Sequence, residues 1–137
     1  MTTATPVNSN ERMNFLPKFI GETYMIVFEN MIFDILENQC TNYEGGYFNF
    51  FELSNGGFYT APSSTETFEL SCPNYFTGKM SADAVGLFAT AMALNHMSWK
   101  LYNTDRKEAQ KFDRLFFNVR EHILNHEECA TILGALD

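Results

Sequence analysis

Cysteine is scarce in this sequence and nowhere paired. Cys40, Cys72 and Cys129 are scattered, odd in number and form no Cys-x-x-Cys motif. That excludes a disulfide framework and points to a reducing compartment, the cytosol. Long apolar runs are missing too: none reaches the ~18 residues needed to cross a bilayer, so no membrane segment is expected. The opening stretch MTTATPVNSNER has neither the basic nor the apolar region of a secretory signal. Residues 1–11 read as a disordered tail ahead of a single domain spanning 12–137.

Positive charge is in short supply. Nine Lys and Arg stand against 17 Asp and Glu, for a formal net charge of −8. A general nucleic-acid binder needs the opposite balance, because its affinity comes from neutralising phosphates. The acids do not form the dense rows that imitation of duplex DNA requires either, at about one charge per 1.7 Å. Their closest groups are Glu127-Glu128 and the spread pair Glu66 and Glu69, so the excess reads as a solvated acidic surface.

Catalytic patterns are also missing. His122 and His126 have the four-residue spacing that lets two imidazoles on a helix share a metal. The intervening Ile-Leu-Asn lacks the glutamate of a His-Glu-x-x-His protease. Both rings fall at the border of the apolar face and read as partly solvated neighbours, and His96 reads as a packed or hydrogen-bonded imidazole. No cysteine sits beside a plausible base, and no Gly-rich loop leads into Lys-Ser or Lys-Thr. No catalytic residue, metal or other cofactor is assigned, and the chain reads as a non-enzyme.

What the sequence has in quantity is aromatic surface, with 14 Phe in a chain that is 45% hydrophobic. Arg12 to Phe19 reads as a short helical or irregular segment interrupted by Pro17. From Glu22 to Gln39 the residues Met25, Phe28, Ile32, Ile35 and Leu36 recur at helical steps. The period then changes. Tyr47–Leu53 and Phe58–Ala61 read as strands joined by Ser54-Asn55-Gly56-Gly57, where Asn-Gly suits a type I′ turn and the second glycine leaves room for a bulge. Thr67–Cys72 alternates and reads as a third strand, completing an antiparallel meander. Cys72 to Met80 reads as a loop.

Ser81 then caps a helix rich in small residues that runs to Leu101, with Asp83 in its first turn. Asp105 with Glu108 resembles a capping box opening the next helix, which buries Phe112, Leu115, Phe116, Val119 and Ile123. A short helix from about Glu127 ends the chain. Strands clustered without βαβ alternation make this an α+β fold, a three-stranded meander packed with about four helices. Both strand parities carry rings, Tyr47 and Phe51 on one side and Phe48 and Phe50 on the other. Either helices cover both faces or an exposed aromatic patch forms a docking surface.

Lys107, Lys111 and Arg114 form an i, i+4, i+7 stripe that, with hairpin aromatics, would bind a nucleic-acid strand by stacking and charge. Glu108, Asp113 and Glu121 interrupt it. A solvated helix face is the preferred reading, and a nucleic-acid-binding module is the alternative function.

The run YEGGYFNFFELSNGGFYTAP, followed by MSADAVGLFATAMALNH and by HILNHEE, resembles the ArdB/KlcA-type antirestriction protein family. The likeness extends from about Arg12 to Asp137. Its strongest pieces are Leu53 to Tyr59 and Met80 to Ala84. One departure is His126-Glu127-Glu128, where the family often shows His-Pro-Glu; Glu suits a first helical turn as Pro does. The resemblance implies a cytoplasmic protein of plasmids, prophages or genomic islands that relieves type I restriction of unmodified DNA. It also implies an α+β fold with a three-stranded antiparallel sheet and no mimicry of DNA. The expected partner is a protein, either the restriction complex or a host factor on which restriction depends. Strong DNA binding is not expected, and the chain is read as a monomer or weak homodimer. Glu52, Asn55, Gly56, Gly57, Tyr59 and Asp83, inside the two segments that carry the likeness, are the candidate contact residues.

Overall fold

The structure, a computed structural model, describes residues 2–137. Among the described residues are five α-helices, α1 (Arg12–Phe19), α2 (Met25–Gln39), α3 (Ala82–Leu101), α4 (Arg106–Leu124) and α5 (Cys129–Leu136), and a short 3-10 turn at Ser9–Glu11. Five strands join them: β1 (Ala4–Pro6), β2 (Phe48–Leu53), β3 (Phe58–Pro62), β4 (Thr67–Ser71) and β5 (Thr77–Ser81). The α+β class and the order of helices, strands and helices are as expected, and α1 runs through Pro17.

The sheet is assembled differently from a meander. Its order is β1-β2-β3, and β4 pairs with β5 in a separate two-stranded sheet. Residues 72–80, read as a loop, turn the chain back at Tyr75, which takes a positive φ of 70°. The Cys72 N–H donates to the Phe76 carbonyl at 2.9 Å to close the hairpin. Only Met80 of β5 carries a buried large apolar side chain, so this strand had no alternating pattern to show.

The third strand of the main sheet comes from the stretch read as a disordered tail. Ala4, Thr5 and Pro6 pair with Leu53, Glu52 and Phe51. The Ser54 N–H donates to the Thr3 carbonyl and the Val7 N–H to the Phe50 carbonyl, both at 2.9 Å. Such pairing is made by backbone groups and covers the open edge of β2.

The other edge, on β3, is covered by α3. Thr90 accepts the Thr60 N–H at 3.2 Å and donates to the Thr60 carbonyl at 3.3 Å. One turn earlier Gly86 makes the approach possible, since a Cβ there would lie 2.4 Å from both the Thr60 carbonyl oxygen and the Ala61 Cβ. This accounts for the small residues of α3, which is buried around nearly its whole circumference from Ala84 to Ala91. Both faces of the sheet are filled. Phe58 packs with Phe15, Phe19 and Phe28 of the first two helices, while Tyr59 packs on the opposite face between Phe51 and His122.

The β2–β3 turn takes the bulged form rather than type I′. The Gly56 N–H donates to the Leu53 carbonyl, and the Leu53 N–H donates to the Gly57 carbonyl. Gly56 alone in the turn has positive φ, at 94°, which makes a three-residue loop with the bulge at Gly56. Asn55 is held out of the left-handed region because its Oδ1 accepts the Gly57 N–H at 3.0 Å.

Candidate functional site

Polar side chains from four elements meet where α3 begins. Ser81 caps the helix, its Oγ accepting the Ala84 N–H at 3.1 Å. The same hydroxyl donates to Glu128 Oε2, and Glu128 Oε1 accepts the Ser81 N–H at 2.9 Å. Two residues on, Asp83 accepts the Tyr59 hydroxyl at 2.6 Å through Oδ1 and His126 Nε2 at 2.8 Å through Oδ2. His126 Nδ1 in turn accepts the Glu128 N–H at 2.9 Å. That last bond assigns the tautomer: Nδ1 is the acceptor, so Nε2 carries the proton donated to Asp83.

His122 lies beside this chain. Its Nδ1 is 2.8 Å from Thr2 Oγ1, and its ring stacks on Tyr59 with centroids 5.7 Å apart. The two histidines are therefore not equivalent solvated neighbours. The His126 side chain is only 11% exposed and is held by Asp83, whereas His122 ties the N-terminal segment to α4.

The electrostatics follow the geometry. Burial raises the Asp83 carboxyl, but the hydrogen bonds from His126 and Tyr59, with the two imidazoles, outweigh it and hold the pKa below the ordinary carboxylate value. The bond to Asp83 raises His126 against the effect of burial. Burial lowers His122. Tyr59 is raised by burial and then by its bond to Asp83. Asp83 also suits the electropositive start of α3. Cys40 is pushed up to about 12 by burial, so its thiol is inert.

Every polar group of this cluster has a partner. Both oxygens of Asp83, both nitrogens of His126 and the hydroxyls of Ser81 and Tyr59 are engaged with one another or with backbone. Among the described residues no group of three or more His, Cys, Asp and Glu is placed to hold a metal ion.

The candidates read from the sequence separate into two kinds. Tyr59 and Asp83 are brought together, with Tyr59 2% exposed. Asn55 and Gly57 lock the turn onto α4: Asn55 Nδ2 donates to the Asn118 carbonyl at 2.8 Å, and a Cβ on Gly57 would fall 2.6 Å from the Asn118 Cβ. Gly56 and Glu52 are exposed, and Glu52 pairs with Lys18 at 3.0 Å.

The basic stripe is broken. Lys111 Nζ donates to the Ile20 carbonyl at 2.6 Å and lies 2.6 Å from Glu108 Oε2, an ion pair by distance whose angle misses hydrogen-bond alignment. Lys107 and Arg114 remain exposed, Phe58 and Tyr59 of the hairpin are buried, and Tyr47 is exposed with Arg12 over its ring. His96 is exposed rather than packed. Reading the sequence alone missed Glu128 and Thr2. The position of Glu128 two residues beyond His126 was the available signal, but no local pattern reveals a partner on β5.

Comparison with known proteins matches residues 41–137 to the antirestriction protein family. An antirestriction protein KlcA of Escherichia coli is 37% identical over 98% of this chain and 94% of its own length. A putative antirestriction protein YubI of Escherichia coli K12 is 29% identical over the full length of both. A solved structure superposes with a TM-score of 0.91 at 33% identity, covering 99% of this chain and 95% of its own. It comes from work on KlcA and ArdB describing a novel fold and antirestriction activity against type I DNA restriction systems in vivo but not in vitro. On its sequence and its fold, the chain belongs to the antirestriction protein family.

Proposed function

We propose that this protein relieves type I restriction of unmodified DNA in the cytosol of a host cell, in the service of a mobile genetic element. It acts by contacting a protein, without catalysis and without imitating DNA. The observation that carries this reading is the match of residues 41–137 to the antirestriction family, and the polar cluster at the head of α3 fits it as a structural fastening that holds the helix to the sheet. The acidic surface supports the same reading, because a net charge of −8 disfavours DNA while its dispersion disfavours mimicry.

The behaviour of the solved relatives, active in vivo but not in vitro, favours a host factor over the isolated restriction complex as the partner. Among the sequence candidates, Glu52, Gly56 and the outer edge of Asp83 are the groups a partner can reach, while Tyr59, Asn55 and Gly57 hold them in place. Plating of unmodified phage on a type I-restricting host tests the proposal. Expression of the chain is expected to raise plating efficiency towards that of modified phage. Unchanged plating at confirmed expression overturns the reading.

A further inference from the structure

The far end of the α3–α4 pair has an open groove of about 780 Å³ whose lining includes Ser98, Trp99, Tyr102, Arg106, Gln110 and Asp113. Trp99 is 76% exposed and Tyr102 54% exposed. Rings of this size left in water beside a concavity are the anchors that protein interfaces favour. Arg106 is already ordered there. Its guanidinium lies 4.1 Å from the Tyr102 ring centroid, and its Nε donates to the Tyr102 carbonyl at 3.1 Å. Among the described residues its two terminal nitrogens have no hydrogen-bond partner, so a fork shaped for a carboxylate is held ready beside two rings.

Charge selects the partner. Five of the chain's nine basic side chains fall between residues 98 and 114, against three acidic ones. Of those acids, Asp105 accepts the Tyr24 hydroxyl and Glu108 pairs with Lys111. Lys100, Arg106, Lys107 and Arg114 are exposed and enter no ion pair among the described residues. Lys100, Arg106 and Lys107 flank the α3–α4 turn and make it locally cationic on an anionic protein; of the cations Arg106 lines the groove, while Lys111 and Arg114 border a separate hollow beside Gly56.

We infer that this groove docks an acidic protein segment, seating one apolar side chain between Trp99 and Tyr102 and a neighbouring carboxylate on the Arg106 fork. Asp113 in the wall and the anionic remainder of the chain weigh against a nucleic-acid strand, which brings a charge with every nucleotide. An acidic peptide places its few carboxylates where the cations are. The inference names a partner class for the protein contact proposed above and rests on that reading.

Trp99 is the chain's sole tryptophan, so fluorescence excited selectively at tryptophan reports on this groove. The probe is a 12-residue Gly/Ser peptide with a central Phe-Leu pair flanked by a few Asp and Glu residues, with a Lys-substituted copy and a 12-nucleotide oligothymidylate as controls. A saturable change in Trp99 emission is expected with the acidic peptide only, weakened at least about tenfold in Arg106→Glu. No saturable change, unaltered affinity in Arg106→Glu, or tighter binding of the oligothymidylate overturns the inference. In the phage assay, a Trp99→Ala/Arg106→Glu variant with an unchanged melting temperature is expected to lose protection. If that variant protects as the parent does, the groove is not the contact. If the parent itself fails to protect, the function proposed above falls, and the peptide titration alone judges the groove.

Discussion

The Tyr59 hydroxyl lies 2.6 Å from Asp83 Oδ1 and so links the middle of β3 to the first turn of α3. Two residues 24 positions apart, each in one of the segments that carry the family likeness, are thereby one structural unit. From Asp83 the link continues through His126 to Glu128 and back to the Ser81 cap. The head of the central helix is fastened to the sheet and to the α4–α5 turn by one chain of hydrogen bonds.

Tyr59→Phe keeps the ring stacked on Phe51 and removes one donor to a carboxylate. It is expected to cost about 1–2 kcal/mol, the lower part of the range for a charged hydrogen bond because Asp83 is partly solvated. Asp83→Asn should cost more. Asp83 accepts from two donors, whereas an amide offers one acceptor and turns its own N–H groups on the other donor. Urea denaturation of the three proteins checks the order; an undiminished midpoint in Asp83→Asn contradicts it.

The two histidines are expected to give opposite pH dependences. His126 is raised above the unfolded value near 6.5. Its contribution is fully present below that value and is lost as pH rises through the folded pKa. His122 is lowered, so its contribution is present above the unfolded value and is lost as pH falls towards the folded one. His122→Gln should therefore lose stability from pH 6 to 8, and His126→Gln should gain stability from pH 5 to 7. Thermal melts across that range measure both slopes, and slopes of the same sign refute the assignment. Protonation of His126 also requires Nδ1 to give up the Glu128 N–H, so the Glu128 amide should shift with the same midpoint in NMR titration.

How much of this was legible in the sequence depends on which physical signal each feature leaves. Helices α2 and α4 announce themselves by apolar spacing, and Ser81 and Asp105 by the local chemistry of capping, since their side chains accept from Ala84 and Glu108. The main sheet lost its third strand to β1 because Ala4–Pro6 is held by backbone pairing and carries no buried pattern. The turn took a bulge because Asn55 uses its side chain on Gly57. In the site, Asp83 and Tyr59 were picked out, but not the bond between them. Long-range pairing of polar groups leaves no periodicity, and Glu128 and Thr2 were invisible for the same reason.

Thr90→Val tests how the β3 edge is protected. The two side chains have similar volume, but valine leaves the Thr60 N–H buried without an acceptor, a loss of about 1–3 kcal/mol. Thr90→Ser keeps the hydroxyl and should retain most of that. Hydrogen exchange at the Thr60 amide provides the local readout, expected to quicken in Thr90→Val and to change little in Thr90→Ser. Equal protection in both would mean that α3 does not shield the edge.

Lys111→Ala is expected to act on stability and not on nucleic acid. Its amine holds the Ile20 carbonyl at the end of α1, so the loss should be about 1 kcal/mol, reduced by partial exposure. Binding to unmodified duplex DNA near physiological salt should be weak in the parent and unaltered in the variant. Sub-micromolar, salt-sensitive binding by the parent that is lost on replacing Lys107, Lys111 and Arg114 together would promote the nucleic-acid alternative.

The most direct measurement is affinity capture of the tagged chain from restricting cells challenged with unmodified DNA, under conditions where it protects phage, with and without nuclease treatment. The account predicts a protein partner, recovered at near-equal amount in both samples. Recovery of nuclease-sensitive DNA without a protein partner, in cells that are demonstrably protected, would contradict it.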